Sequence, residues 1–124
     1  MEMLSMLIAI IDDDEAVRVS LLDLVEMFGY AVETFASAPE FLSSPRISET
    51  RCLLLDISMP GMTGIDLYRE LKRRDIRIPV VFMTGHAQDS LVREAKQAGT
   101  CLFKPFPGGE LRTAIEKAIR TDLD

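Results

Sequence analysis

Five short apolar runs alternate along this chain with segments in which apolar residues recur at helical spacing. Each run has three to six residues, a length that suits a β-strand and is too short for a helix. Parallel strands need a crossover between them, so the alternation predicts a parallel sheet with helices on both faces. The predicted strands cover Leu7 to Ile11, Tyr30 to Phe35, Cys52 to Leu55, Val80 to Met83, and Cys101 to Phe103.

The helix boundaries are marked by residues that suit helix ends. Gly29 follows an apolar stripe that starts at Val17, which predicts a left-handed C-terminal cap. The segment Ser37-Ala38-Pro39-Glu40 combines capping-box spacing with a proline in the first turn, so a second helix should begin near Ala38. Three later helices are predicted after Thr63 as N-cap, around Leu91 to Ala98 with Gly99 as the closing residue, and beyond Gly108-Gly109 up to a polar tail at Thr121 to Asp124.

Length and composition indicate a single domain. The chain has 124 residues, 48% of them hydrophobic, which is enough for one continuous core, and we expect a domain over residues 6–121 with tails at 1–5 and 122–124. A net charge of −6 argues against direct nucleic-acid binding, because phosphate recognition requires clustered Lys and Arg. Cys52 and Cys101 suggest reduced, buried thiols. Neither a signal peptide nor a membrane span is recognisable, which predicts a cytoplasmic protein without membrane partners.

Polar side chains follow four of the five predicted strands at the point where each strand ends. They are Asp12 and Asp13, Asp56, Thr84, and Lys104. The carboxyl ends of parallel strands share one edge of the sheet, where functional residues collect. If the first and third strands are neighbours, three carboxylates meet there and need raised pKa values or a bound cation. Oxygen ligands favour Mg²⁺, while a lysine and a threonine hydroxyl suit the oxygens of a phosphoryl group.

Four motifs at these strand ends resemble those of a known family. They are Ile11-Asp12-Asp13-Asp14, Leu55 to Gly64, Met83-Thr84-Gly85-His86, and Phe103-Lys104-Pro105-Phe106. In this order they are similar to the receiver domains of bacterial two-component response regulators, and the resemblance extends from about Met6 to Arg120. The segment from Phe35 to Ser58 is most similar to receivers of nitrogen-fixation-type transcription regulators. The resemblance implies a flavodoxin-like, doubly wound (βα)5 fold with strand order 2-1-3-4-5.

The resemblance also implies which residues would bind phosphate and metal. Asp56 would be the phosphoacceptor. Asp12, Asp13 and Asp56 would hold Mg²⁺ together with the backbone carbonyl of Ser58, and Mn²⁺ would be able to replace Mg²⁺. Lys104 would contact the phosphoryl group, and its peptide bond to the following proline would be cis.

The implied switch residues surround the acceptor. Thr84 would be the hydroxyl that moves towards the phosphoryl group, with Pro105 in the adjacent loop. His86 would tune how fast water reaches the phosphoryl group. The family usually has an aromatic switch residue three positions before the lysine, which is Cys101 here, and Phe103 is the nearest aromatic residue. The stretch from Gly99 to Lys104 is shorter than in the family.

The resemblance implies signalling partners instead of an external substrate. The phosphodonor would be a sensor histidine kinase or a histidine phosphotransfer protein, and the recipient of the signal would be a downstream output domain or protein. Phosphorylation could also produce a homodimer. The domain would catalyse its own phosphorylation and dephosphorylation and no other reaction.

Two other interpretations remain open from the sequence. A pseudo-receiver would be an interaction module that works without phosphorylation, which the short fifth strand keeps possible. A haloacid-dehalogenase-like phosphatase would use Asp12 as its nucleophile, whereas a receiver would use Asp56. The identity of the phosphorylated residue distinguishes the phosphatase from the receiver.

Overall fold

Five parallel strands form the centre of the fold in the computed structural model, which describes residues 6–85 and 90–123. The strands follow the predicted apolar runs to within two residues at each end. They are β1 (Leu7–Ile11), β2 (Ala31–Phe35), β3 (Thr50–Asp56), β4 (Val80–Thr84) and β5 (Thr100–Phe103). β3 begins earlier than predicted, because a 3-10 turn at Ile47–Glu49 leads directly into it.

The strand order is β2-β1-β3-β4-β5, as the resemblance implied. β1 therefore lies between β2 and β3, and the direction of winding reverses there. In the parallel register Ile11 is opposite Leu55, so the residues that follow these two strands emerge side by side at the carboxyl edge. The topology thus brings Asp12 and Asp56 together.

Five helices cover the two faces of the sheet. α1 and α5 pack on one face, and α2, α3 and α4 pack on the other. The helices are α1 (Glu15–Met27), α2 (Ala38–Leu42), α3 (Gly64–Arg73), α4 (Leu91–Ala98) and α5 (Gly108–Leu123). None of the helices within the described ranges combines the length and the apolar composition of a membrane span.

The central strands are buried on both faces. All five residues of β1 are at most 4% exposed, with Ile8 and Ile10 facing α1 and α5, and Ala9 and Ile11 facing the other helices. Side chains alternate between the two faces along a strand. Because helices cover both faces of β1, all of its residues are apolar. Two apolar layers therefore hold the sheet rigidly between the helices.

The helix ends follow the predicted signals with two differences. Gly29 has a φ of 102°, the left-handed conformation expected of a helix C-terminal cap. Gly99 instead has an extended φ of 179°, and a Cβ atom there would lie 2.6 Å from the Val80 carbonyl oxygen. Gly99 is thus required by close packing against β4. α5 continues to Leu123, into the predicted polar tail, because no Gly or Pro interrupts it.

Candidate functional site

Asp56 is the last residue of β3 and is buried, with 4% exposure. Its Oδ1 accepts a hydrogen bond from the backbone N–H of Ser58 at 3.4 Å. β3 is a central strand, paired with β1 on one side and β4 on the other, so the strand that carries Asp56 is held on both sides. The chain therefore presents one carboxylate at a fixed point of the carboxyl edge.

The loop after β3 folds tightly against Asp56. Gly61 has a φ of 74°, which turns the chain, and Thr63 and Asp66 form a reciprocal capping box at the start of α3. A Cβ atom on Gly64 would collide with the Asp56 backbone carbonyl. The glycine thus allows α3 to begin immediately beside β3.

The loop after β1 supplies two further carboxylates. Asp12 is buried and Asp13 is exposed. The Oδ1 of Asp12 accepts from the backbone N–H of Asp14 at 2.9 Å, and the Asp14 side chain caps α1 by accepting from the N–H groups of Ala16 and Val17. One member of this acidic loop is therefore a helix cap, and the other two face the site.

Lys104 brings a positive charge from β5 to this acidic group. Its Nζ lies 2.8 Å from Asp12 Oδ2 and 3.6 Å from Asp56 Oδ1. Its backbone N–H donates to the Thr84 carbonyl oxygen at 2.8 Å, which continues the ladder between β4 and β5. The Lys104–Pro105 peptide bond is cis, as the resemblance implied. The lysine thus connects three strand ends.

The charges at this edge change the acidity of two groups. Burial raises the pKa of Asp56 from 3.8 to about 6, and the neighbouring Asp12 charge adds to this effect, while the Lys104 ammonium opposes it. Burial alone would lower the pKa of Lys104, but its hydrogen bond to Asp12 and the nearby carboxylates together raise it. Lys104 therefore stays protonated at neutral pH. The carboxyl of Asp56 titrates closer to neutral pH than an ordinary aspartate does.

The carboxylates of Asp12, Asp13 and Asp56 are suited to a divalent cation. One oxygen from each residue lies within 4.8 Å of the others. Two of the three residues are buried and Asp13 is exposed, so the group is open to solvent on one side. Hard oxygen ligands on an open site suit Mg²⁺, which keeps several waters when bound by carboxylates. Burial is the main cause of the raised pKa of Asp56, and the neighbouring Asp12 charge adds to it.

Thr84 ends β4 and is completely buried. In the register of β3 and β4, Asp56 is opposite Met83, so Thr84 lies one residue further along the carboxyl edge. On its other side Thr84 is opposite Phe103 of β5. The threonine is thus located between β3 and the edge strand β5.

Comparison with known proteins decides the family. The family model of the response regulator receiver domain matches residues 8–116. The chain is a response regulator receiver domain. Receiver domains bind Mg²⁺ through acidic residues, in agreement with the group of three carboxylates.

Two relatives and one solved structure show how close this receiver domain is to others. It is 42% identical over 115 residues to the response regulator protein TodT of Pseudomonas putida, covering 91% of this chain and 51% of TodT. It is 37% identical over 117 residues to the transcriptional regulatory protein FixJ of Azorhizobium caulinodans, covering 93% and 56%. The crystal structure of FixJ-N matches with a TM-score of 0.84 and 36% identity, covering 95% of this chain and 96% of FixJ-N. The receiver thus spans about half the length of these curated relatives.

The fifth strand of this receiver follows α4 almost directly. A single residue, Gly99, separates α4 from β5, so the connection has no loop. Cys101 and Phe103 both pack, partly buried, against the apolar layer under α4, and the Lys96 ammonium lies 5.2 Å from the centre of the Phe103 ring. His86 lies outside the described residues.

Three features of the receiver site were not predicted from the sequence. Asp14 acts as the cap of α1, a role that its place before an apolar stripe could have suggested. Arg18 donates to the backbone carbonyl of Asp12. The contact between Lys96 and Phe103 depends on the short connection between α4 and β5. The last two depend on tertiary geometry and leave no local signal in the sequence.

Proposed function

We propose that this receiver is a phosphorylation-controlled switch in a two-component or phosphorelay pathway, with Asp56 as phosphoacceptor. The observation that carries the proposal is the buried Asp56 carboxylate, grouped with Asp12 and Asp13 and faced by Lys104. A lone carboxylate at a strand end would be compatible with a structural role. Three carboxylates and a lysine at one edge support phosphoryl transfer.

In the proposed reaction an oxygen of the Asp56 carboxylate attacks the phosphorus of a phosphohistidine. The P–N bond breaks, the imidazole leaves, and an acyl phosphate remains on Asp56. Attack by water later releases inorganic phosphate and restores the carboxylate. Because the pKa of Asp56 is about 6, most of the carboxyl is ionised and nucleophilic at pH 7.5.

The other residues of the site would balance charge and detect the product. Asp12, Asp13, Asp56 and the Ser58 carbonyl would bind Mg²⁺ or Mn²⁺, which would neutralise charge on the transferring group. The Lys104 ammonium would move from Asp12 to the phosphoryl oxygens. The Thr84 hydroxyl would donate to the same group, and β4 and β5 would respond together because they are paired there.

Partners are proposed from the family and from the length of the relatives. The phosphodonor is a sensor histidine kinase or a histidine phosphotransfer protein. Because this chain spans about half of TodT and FixJ, we propose that the receiver, residues 6–121, controls an output domain or protein. FixJ is a transcriptional regulatory protein by name, and this favours an output in transcription. We also propose a cytoplasmic location and a homodimer that forms on phosphorylation.

The acceptor is tested by intact-mass measurement after incubation with acetyl phosphate, with and without Mg²⁺. We expect one phosphoryl group per chain, only with Mg²⁺ or Mn²⁺, and none on Asp56→Asn. Asp23→Asn, which changes an exposed carboxylate on α1, serves as the control and should be labelled normally. Labelling of Asp56→Asn as strong as that of the wild type would overturn the assignment.

Two alternative functions predict different experimental outcomes. A phosphatase of the haloacid-dehalogenase type would carry phosphate on Asp12, but the family match and the ion pair of Asp12 with Lys104 favour the receiver. A pseudo-receiver would show no effect of phosphorylation on its shape. Size-exclusion chromatography of both forms tests this point, and identical elution together with unchanged partner affinity would favour the pseudo-receiver.

A further inference from the structure

Arg18 joins helix α1 to the acidic loop after β1. Its Nη1 donates a hydrogen bond to the backbone carbonyl oxygen of Asp12 at 2.6 Å. This carbonyl belongs to the peptide group between Asp12 and Asp13, so the guanidinium fixes the plane of the peptide from which Asp13 extends. Hydrogen bonds from charged donors are roughly twice as strong as those between neutral groups.

The rest of the loop is held independently of Arg18. The Asp12 side chain accepts from the Asp14 N–H and from Lys104, and Asp14 caps the helix. Asp13 is exposed, so the direction of its carboxylate depends on the backbone that carries it. Arg18 acts on the one peptide group that links the buried carboxylate to the exposed one.

We propose that Arg18 is a positioning residue for divalent-cation binding by Asp12, Asp13 and Asp56. The proposal rests on the function proposed above. Arg18 contacts a backbone carbonyl and would not bind the ion itself. It orients the peptide between Asp12 and Asp13 so that the two carboxylates meet that of Asp56.

Charge and positioning predict opposite effects for the removal of Arg18. A guanidinium close to a cation site repels the cation, so a purely electrostatic role means that its removal tightens Mg²⁺ binding. A positioning role means that its removal weakens binding, and outer partners of metal ligands typically contribute on the order of 10- to 100-fold in affinity. The direction of the change therefore identifies the role.

The test is an NMR titration of the ¹⁵N-labelled protein with MgCl₂ at constant ionic strength. We expect the dissociation constant of Arg18→Ala to be about tenfold higher than that of the wild type, and that of Arg18→Lys to lie between them. Arg120→Ala is the matched control, because it removes the same charge from the last turn of α5, and it should bind normally. Binding by Arg18→Ala that equals or exceeds that of Arg120→Ala would overturn the proposal.

A second measurement covers the case in which Arg18→Ala does not fold. In the ion-free Arg18→Lys protein the ¹⁵N order parameter of the Asp13 amide should be lower than in the wild type, because this N–H belongs to the peptide group whose carbonyl oxygen Arg18 contacts. An unchanged order parameter together with unchanged Mg²⁺ affinity would overturn the proposal. If the wild type itself does not bind Mg²⁺, the proposed function fails as well. If the wild type binds and Arg18 variants bind equally, only the role of Arg18 is refuted.

Discussion

The ammonium of Lys104 lies 2.8 Å from the carboxylate of Asp12, a residue 92 positions earlier in the chain. The Asp12 side chain is 1% exposed, so this bond supplies a counter-charge to a buried carboxylate. The Asp56 carboxylate is farther from the same ammonium, at 3.6 Å. Without a bound cation, Lys104 therefore lies closer to Asp12 than to Asp56 and compensates the charge of Asp12 first.

Replacement of Lys104 by Met should destabilise the ion-free protein and do less harm when Mg²⁺ is present. Loss of the ammonium leaves Asp12 buried without its counter-charge, so we expect the free energy of unfolding to fall by about 1–3 kcal/mol. A cation bound to Asp12 would replace the missing charge. Urea unfolding with and without MgCl₂ measures both values, with Lys117→Met, an exposed lysine on α5, as the control. An equal loss of unfolding free energy with and without MgCl₂ would show that Asp12 is not a partner of both Lys104 and the cation.

Lys104→Ala should still be phosphorylated on Asp56 but should lose the structural response to phosphorylation. The Asp56 carboxylate is still present in this variant, so acetyl phosphate should label it in the presence of Mg²⁺. The link from the phosphoryl group to β5 is lost, so the change in elution volume on phosphorylation should disappear. Size-exclusion chromatography of the labelled variant measures this, and a change as large as that of the wild type would refute the link.

Asp56→Asn should stabilise the ion-free protein at neutral pH. The pKa of Asp56 is about 6 in the folded protein and 3.8 as its reference value, so the unfolded chain loses its proton first as the pH rises. Stability therefore falls as the pH rises from about 4 to 6 and stays lower above that range. We expect Asp56→Asn to gain about 3 kcal/mol at pH 7.5 and about half as much at pH 5.

Urea unfolding at the two pH values measures the gain, and Asp23→Asn is the control for the loss of one exposed carboxylate. Addition of Mg²⁺ should stabilise the wild type more than Asp56→Asn, because the variant keeps only two of the three carboxylates proposed as ligands. A gain for Asp56→Asn that does not depend on pH would show that the ionisation of Asp56 is not its cause.

Gly64→Ala should disturb the acceptor strand directly. The added Cβ atom would collide with the Asp56 carbonyl, so we expect a loss of about 1–3 kcal/mol and slower labelling of Asp56. Gly109→Ala is the matched control, since it lies in the first turn of α5 with no atom within 4 Å of its Cβ position. That variant should gain about 0.5 kcal/mol from lower chain entropy. Equal stabilities of the two variants, measured by thermal unfolding, would exclude the collision.

Phe103→Leu should weaken the response of α4 without affecting the acceptor. Phe103 is opposite Thr84 in the register of β4 and β5, and its ring contacts the Lys96 ammonium of α4. We expect normal labelling of Asp56 and smaller chemical-shift changes in α4 when beryllofluoride, a mimic of the phosphoryl group, is added. Lys96→Met should show the same reduction. Full-size changes in both variants would mean that α4 responds through another contact.

The fold was predictable because its signals are local. The apolar runs have the length of strands, and Gly29 marks a helix end through its own conformation. The positions of Asp12 and Asp56 at one edge follow from strand order and register. The sequence therefore predicted which residues would meet, and the roles of all of them in phosphoryl transfer are proposals.

Some contacts at the site were not predictable, because they depend on how separate helices and strands pack against each other. Arg18 is four residues after Asp14, a spacing that suggests a helical ion pair, yet it donates to the Asp12 carbonyl. Gly99 was expected to adopt a left-handed cap and is instead extended against β4. The spacing of apolar residues along the chain gives no information about such contacts.

The single-residue connection at Gly99 limits how α4 can move. With one extended residue between Ala98 and Thr100, and no room for a side chain against Val80, the carboxyl end of α4 is tethered to the edge strand. Sliding of the helix along its axis would have to pull β5 out of register. The helix α4 can therefore rotate about that end but cannot slide. A partner that binds α4 would detect a change in the angle of the helix instead of a change in its position.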